Sequence, residues 1–173
     1  MQPSPLKLVH YHLVELDIKP EEKFDPHTNQ ELGYPDFTNA DFSAKIRLAT
    51  PEGETDPYEF MVKLELEGHA QKKKEGLFPY RFSIGAEGIV RYSGDKTLDD
   101  RKELVVVNGS AMLYGALREQ LLSITGRFQH GPMMLPTVNF LDLRRKKTDT
   151  ATAAQDKNAR VRKRARKKAE QAT

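Results

Sequence analysis

Residues 80–92 read YRFSIGAEGIVRY, and their alternation decides the fold. Tyr80, Phe82, Ile84, Ala86, Val90 and Tyr92 keep the period of two that an extended chain needs to turn one side toward a core. Upstream, YEFMVKLELEGHAQ (58–71) repeats the pattern, with Phe60, Val62, Leu64 and Leu66 on one face and Met61, Lys63, Glu65 and Glu67 on the other. In FSAKIRLAT (42–50), Phe42, Ala44, Ile46 and Leu48 alternate with Ser43, Lys45, Arg47 and Ala49. Gly and Pro clusters in PEGETDP (51–57) and KKKEGLFP (72–79) mark the turns between them. Three strands joined this closely are expected to form an antiparallel meander.

Further out, LKLVHYHLVELDI (6–18) reads as another strand whose phase changes near Val9 to Tyr11, as a bulge would allow. Residues 19–41 follow, with three prolines and no period, too long for a hairpin turn. Phe24, Leu32, Tyr34 and Phe37 argue that this segment lies on something apolar. On the C-terminal side, Asn108 or Ser110 can cap a helix that carries Leu113, Leu117, Leu121 and Ile124 on one stripe and ends at Gly126. Asp99, Asp100 and Glu103 read as turn and first-turn charges. An interior glycine costs roughly 1 kcal/mol relative to alanine, so Gly115 with Ala116 suggests close approach of a second helix at a subunit contact. The expected class is α+β: a four-stranded antiparallel sheet with a long crossover after its first strand, and a long helix packed on the sheet.

The helix leads into GRFQHGPMMLPTVNF (126–140), an irregular segment rich in methionine and phenylalanine. Methionine adapts to many apolar shapes, so the segment is either a core plug or an adaptable binding surface.

The chain of 173 residues bears a formal net charge of +3 that conceals two regions of opposite sign. Of its 28 Lys/Arg and 25 Asp/Glu, residues 144–173 hold 12 and 3, leaving 16 and 22 in residues 1–143. The expected organisation is therefore an acidic domain over 1–143 and a basic, disordered tail over 144–173. Cysteine is absent, which excludes disulfides and thiolate metal sites. The N-terminus lacks the apolar run of a signal peptide, and no stretch is long and apolar enough to span a bilayer, so a soluble cytoplasmic protein is expected.

His10 and His12 share a strand face, but no further ligand follows at a suitable spacing, and no metal is expected. There is no phosphate loop and no nucleophile elbow. The sequence motivates neither a catalytic residue nor a cofactor.

The order of four antiparallel strands, proline-bearing crossover, long helix and apolar segment ending in VNF resembles the bacterial export chaperone SecB and its SecB-like relatives. Local matches are YEFMVKLEL, LYGALREQLLSITGR and PMMLPTVNF, in which Tyr114, Arg118, Glu119, Gly126, Arg127, Pro136, Val138, Asn139 and Phe140 fit the family pattern. Gly115 stands where the family usually has proline, and the basic tail is not a family feature. The resemblance implies a non-enzymatic, ATP-independent holdase, a homotetramer built as a dimer of dimers, that binds unfolded or preprotein clients in apolar grooves and delivers them to the translocase motor. On this reading Leu32, Tyr34, Phe37, Phe128, Met133, Met134, Leu135, Val138 and Phe140 are the client-binding candidates, although Val138 and Phe140 are expected to complete the core. Glu15, Asp17, Glu65 and Glu67 are the candidate docking surface for a partner module, against the plainer reading of a solvated strand face.

Two other readings stay open. SecB-like relatives include chaperones dedicated to one toxin–antitoxin pair, and the basic tail by itself suits a nucleic-acid-binding assembly protein or contact with an anionic surface.

Overall fold

Four strands, β1 (Leu6–Pro20), β2 (Ala40–Ala49), β3 (Glu59–Ala70) and β4 (Tyr80–Tyr92), form one antiparallel sheet in the order β1-β4-β3-β2. One helix, α1 (Leu98–Thr125), packs chiefly over β3 and β4. The computed structural model describes residues 3–25, 35, 37–74 and 76–144. Contacts divide the chain into a unit spanning Met1–Leu143 and a second from Arg144 onward. The α+β class expected from the sequence is the one observed.

The order explains the long crossover. β1 lies at one edge of the sheet and β2 at the other, so the connection must cross three strand spacings, about 14 Å. Both its ends lie at the end of the sheet where β3 turns into β4. Backbone hydrogen bonds tie them there: Glu21 N–H donates to Pro79 O (2.8 Å), Asp25 N–H to Gly76 O (3.2 Å), and Gln71 N–H to Asn39 O (3.0 Å). Gly76 has φ 84°, and a Cβ there would lie 2.7 Å from Lys23 O, so this junction requires glycine.

The core follows the alternation. The register places Phe60 opposite Val90, Leu64 opposite Ala86 and Leu66 opposite Ile84, all buried beneath α1. From the helix, Val105, Leu113, Leu117 and Leu121 close the layer. Gly109 permits the close approach, because a Cβ there would sit 3.0 Å from Val62 Cγ2 and 3.3 Å from Val90 Cγ2.

Two sequence expectations need correction. The helix starts at Leu98, not at an Asn108 or Ser110 cap. Thr97 is the N-cap, its Oγ1 accepting from Asp100 N–H (3.3 Å), and Asp99 and Asp100 lie in the first turn, where acidic charge suits the helix dipole. The low helix propensity of Val105–Val106–Val107 and the cap-like Asn108–Gly109–Ser110 masked the earlier turns; burial of Val105 and Val107 outweighs that propensity. Asn108 Nδ2 instead donates back to Leu104 O (2.9 Å). The first strand carries two bulges rather than one, at Val9 and at Val14, where the pairing with β4 shifts.

The start of α1 is anchored by Arg101, which is 2% exposed. Its guanidinium pairs with Asp56, donates to Pro57 O (2.9 Å) and lies 4.2 Å from the centroid of the Tyr58 ring. The helix is thereby fixed to the β2–β3 connection.

Candidate client-binding surface

The methionine-rich segment is first of all a plug. Thr125, buried at the end of α1, donates from Oγ1 to Leu121 O (2.6 Å) and accepts from Met133 N–H (2.8 Å). Tyr80 Oη donates to Gly131 O (2.5 Å), and Tyr114 Oη to Pro136 O (2.6 Å). The Phe140 ring lies 5.5 Å from that of Tyr114. These bonds carry the chain over the open end of the core, where Met133, Leu135 and Phe140 are buried. Burial pushes both the Tyr80 and the Tyr114 hydroxyl up to about 12, with Tyr80 Oη also held by the loop and Arg118 opposing the shift at Tyr114.

Met133, Leu135 and Phe140 are therefore corrected from client-binding candidates to core residues: they face the interior and offer a client no surface. Phe140 does complete the core as expected, whereas Val138 points outward instead. Phe37 stacks edge-on against Phe42 and Phe78, and Phe128 packs on Tyr80; both are partly buried. Met134 is half-buried. Leu32 and Tyr34 lie outside the described residues.

A different apolar surface emerges along β1, which sequence reasoning missed. Val9, Tyr11, Val14 and Leu16 are all exposed, Leu16 at 50%. Tyr11 and Leu16 pair with Gly88 and Ile84 and so face the helix side, but α1 lies over β3 and β4 and leaves them uncovered. Val9 and Val14 occupy the bulges. Among the described residues only β4 pairs with this strand, so its other side is a sheet edge whose backbone groups have no described strand partner. The signal was present in LKLVHYHLVELDI: a strand with apolar residues on both sides of its phase break has more apolar surface than one covered face can use.

On the sheet face away from α1, the register gathers the four docking candidates. Glu15 and Glu65 flank Gly85, and Asp17 and Glu67 flank Ser83, each pair separated by two strand spacings, about 10 Å. Each carboxylate has a partner. Ser83 Oγ donates to Glu15 (2.5 Å), Lys19 pairs with Asp17 (2.8 Å), and Lys45 pairs with Glu67 (3.0 Å). Glu65 contacts Lys63 (2.7 Å) and Arg47 (3.6 Å). The Lys63 ammonium holds the Glu65 carboxyl below the usual range, partial burial opposes this, and Arg47 reinforces it. The hydrogen bond from Glu67 raises Lys45.

Gly115 is exposed, and a Cβ there would meet nothing within 4 Å; Ala116 beside it is half-buried. His10 and His12 stack with centroids 6.1 Å apart. Among the described residues no group of three His, Cys, Asp or Glu could hold a metal, and no helix is long and apolar enough to cross a membrane.

No family model matches the sequence, and no curated protein does. Structure carries further. The SecB-like chaperone Rv1957 of Mycobacterium tuberculosis, solved with a ChAD peptide from the antitoxin Rv1956 HigA1, superposes with a TM-score of 0.50. The two share 14% identity over 78% of this chain and 91% of that one. The fold is SecB-like. A protein of unknown function from Streptococcus agalactiae superposes with a TM-score of 0.42 at 12% identity, over 76% of this chain and 97% of its own.

Proposed function

We propose that the protein is a non-enzymatic, ATP-independent chaperone that holds extended segments of unfolded polypeptide. The observation that carries this reading is the β1 edge, which no described strand pairs and which runs beside exposed Tyr11 and Leu16. An extended client can add a strand there, with main-chain bonds supplying affinity and apolar side chains supplying tolerant contact. The SecB-like fold supports the same reading, and Phe37, Phe128, Met134 and Val138, with Leu32 and Tyr34, extend the client surface. Assembly as a cytoplasmic homotetramer through α1 at Gly115 and Ala116 belongs to this proposal, as does docking of a translocase motor or other partner at Glu15, Asp17, Glu65 and Glu67. Between general export clients and one dedicated client, the antitoxin peptide bound by the mycobacterial neighbour favours the dedicated one. The charge asymmetry supports a second role, retention on nucleic acid or another anionic surface by residues 144–173.

The test is suppression of aggregation of a chemically unfolded client by full-length protein, with and without ATP. Suppression that ATP leaves unchanged is expected. The pair Tyr11→Ser and Leu16→Ser should weaken it several-fold while far-UV circular dichroism stays that of the parent. Light scattering on the same variant shows whether the edge also joins copies of the chain. A folded parent protein that leaves aggregation unaffected would end the chaperone reading.

A further inference from the structure

Two histidines follow one another along β1 on the sheet face away from α1. His10 pairs with Ile89 and His12 with Glu87, positions of β4 that alternate with core-facing Gly88 and Ala86. Both histidines are exposed, and their rings stack with centroids 6.1 Å apart and planes 13° from parallel. The bulges at Val9 and Val14 bracket the pair, so the pairing between them is regular and holds both imidazoles on one face.

The surroundings suit a cation. Glu87 stands directly across from His12, with about 5 Å between Cβ atoms. Lys63, the next residue across the sheet, is paired with Glu65 (2.7 Å), and Glu15 and Asp17 continue the same face along β1. Toward the start of β1 the face carries Lys7 and Arg91, the latter donating to Glu59 (2.7 Å). Among the described residues no third His, Cys, Asp or Glu completes a metal group, so the chain itself offers two imidazole donors. Those two can converge. Two nitrogens on one metal, each at about 2.0–2.1 Å, stand about 3 Å apart. From the observed stacking each ring has to lean by about 1.5 Å at its tip, and the broad χ2 well of histidine allows that.

We propose that His10 and His12 chelate a divalent late transition metal, copper ahead of nickel and zinc, with water in the remaining positions. Imidazole nitrogen suits these ions, whereas calcium and magnesium take oxygen donors. Because the strand fixes the two rings on one face, coordination of the first nitrogen makes that of the second an intramolecular event, which is where the affinity of the pair arises. The carboxylate of Glu87 adds attraction for the cation without having to reach it. Two donors from one chain leave positions open on the metal, so the ion is an exchangeable one and the fold does not depend on it. This proposal stands apart from the chaperone reading, since it asks for metal binding alone.

Calorimetry on the untagged full-length protein, with copper(II) chloride as the probe in a buffer that does not bind copper, tests it. The comparison is between the parent, His10→Gln, His12→Gln, and His69→Gln as a control exposed on β3. The parent is expected to take one ion per chain, or one per two chains where two copies share it. Each of the first two variants should weaken binding roughly a hundredfold, the gain that joining two donors supplies, with His69→Gln and circular dichroism unchanged. Nickel and zinc should bind more weakly than copper and show the same loss in the variants. No copper binding by the parent, equal affinity in the parent and either β1 variant, an equal loss in His69→Gln, or calcium binding as tight as copper would each overturn the proposal.

Discussion

Tyr80 shows at the scale of one residue how the core and the segment after α1 are joined. The residue is 1% exposed and its hydroxyl donates to Gly131 O at 2.5 Å, so one side chain fills the core and fixes the loop that seals it. Tyr114 does the same at Pro136, and Thr125 couples Leu121 O to Met133 N–H. Both tyrosine hydroxyls are pushed by burial from the ordinary 10 to about 12. Below pH 10 both are neutral, folded or unfolded. Between pH 10 and 12 the unfolded chain gives up these protons first, so the native state loses stability as pH rises, on the order of 2 kcal/mol per ring at the upper end. Urea unfolding from pH 8 to 11.5 should show this slope. A chain with Tyr80→Phe and Tyr114→Phe should start about 1 kcal/mol lower per lost hydrogen bond and fall less steeply. An equally steep fall in that variant would place the titrating groups elsewhere.

At the scale of elements, the two interior glycines of α1 have different causes. Sequence reasoning assigned close approach to Gly115, but Gly109 is the one pressed on the sheet, against Val62 and Val90, and Gly115 faces open space. Gly109→Leu should therefore destabilise the fold by roughly 1–3 kcal/mol through overpacking. Gly115→Ala should stabilise the isolated fold by up to about 1 kcal/mol through helix propensity. Gly115→Leu should reduce the assembly mass if a second helix packs there, and unchanged mass in light scattering would remove Gly115 from any interface. The contrast marks how far the sequence was legible. Strands with strict alternation, such as 80–92, disclosed both their limits and their buried face, because one face is covered along its length. The helix start was hidden, since three valines and an Asn–Gly–Ser run oppose helix locally and only packing against β3 and β4 overrides them. For the same reason Met133 and Val138, alike in apolarity and both in an irregular segment, could not be told apart: one is buried where its N–H bonds Thr125 at the end of α1, and the other is turned outward. The β1 surface stayed hidden because exposure at an edge depends on where the helix lies, which no single strand encodes.

The whole molecule is governed by its division of charge. Residues 1–143 hold 16 basic and 22 acidic residues, and residues 144–173 hold 12 and 3. Among the described residues, the buried core lies between Leu6 and Phe140. Removing residues 144–173 should then leave the unfolding midpoint, circular dichroism and client holding unchanged. Its effect should appear with polyanions. A segment that neutralises several phosphates releases their counterions, and log affinity for single-stranded RNA then falls with log salt by roughly 0.7 per phosphate contacted. The full chain should show such a slope across 50–300 mM salt, and the truncated chain should lose most of both affinity and slope. If truncation left RNA binding unaltered, the anionic contact would belong to residues 1–143 and the basic segment would have no part in it.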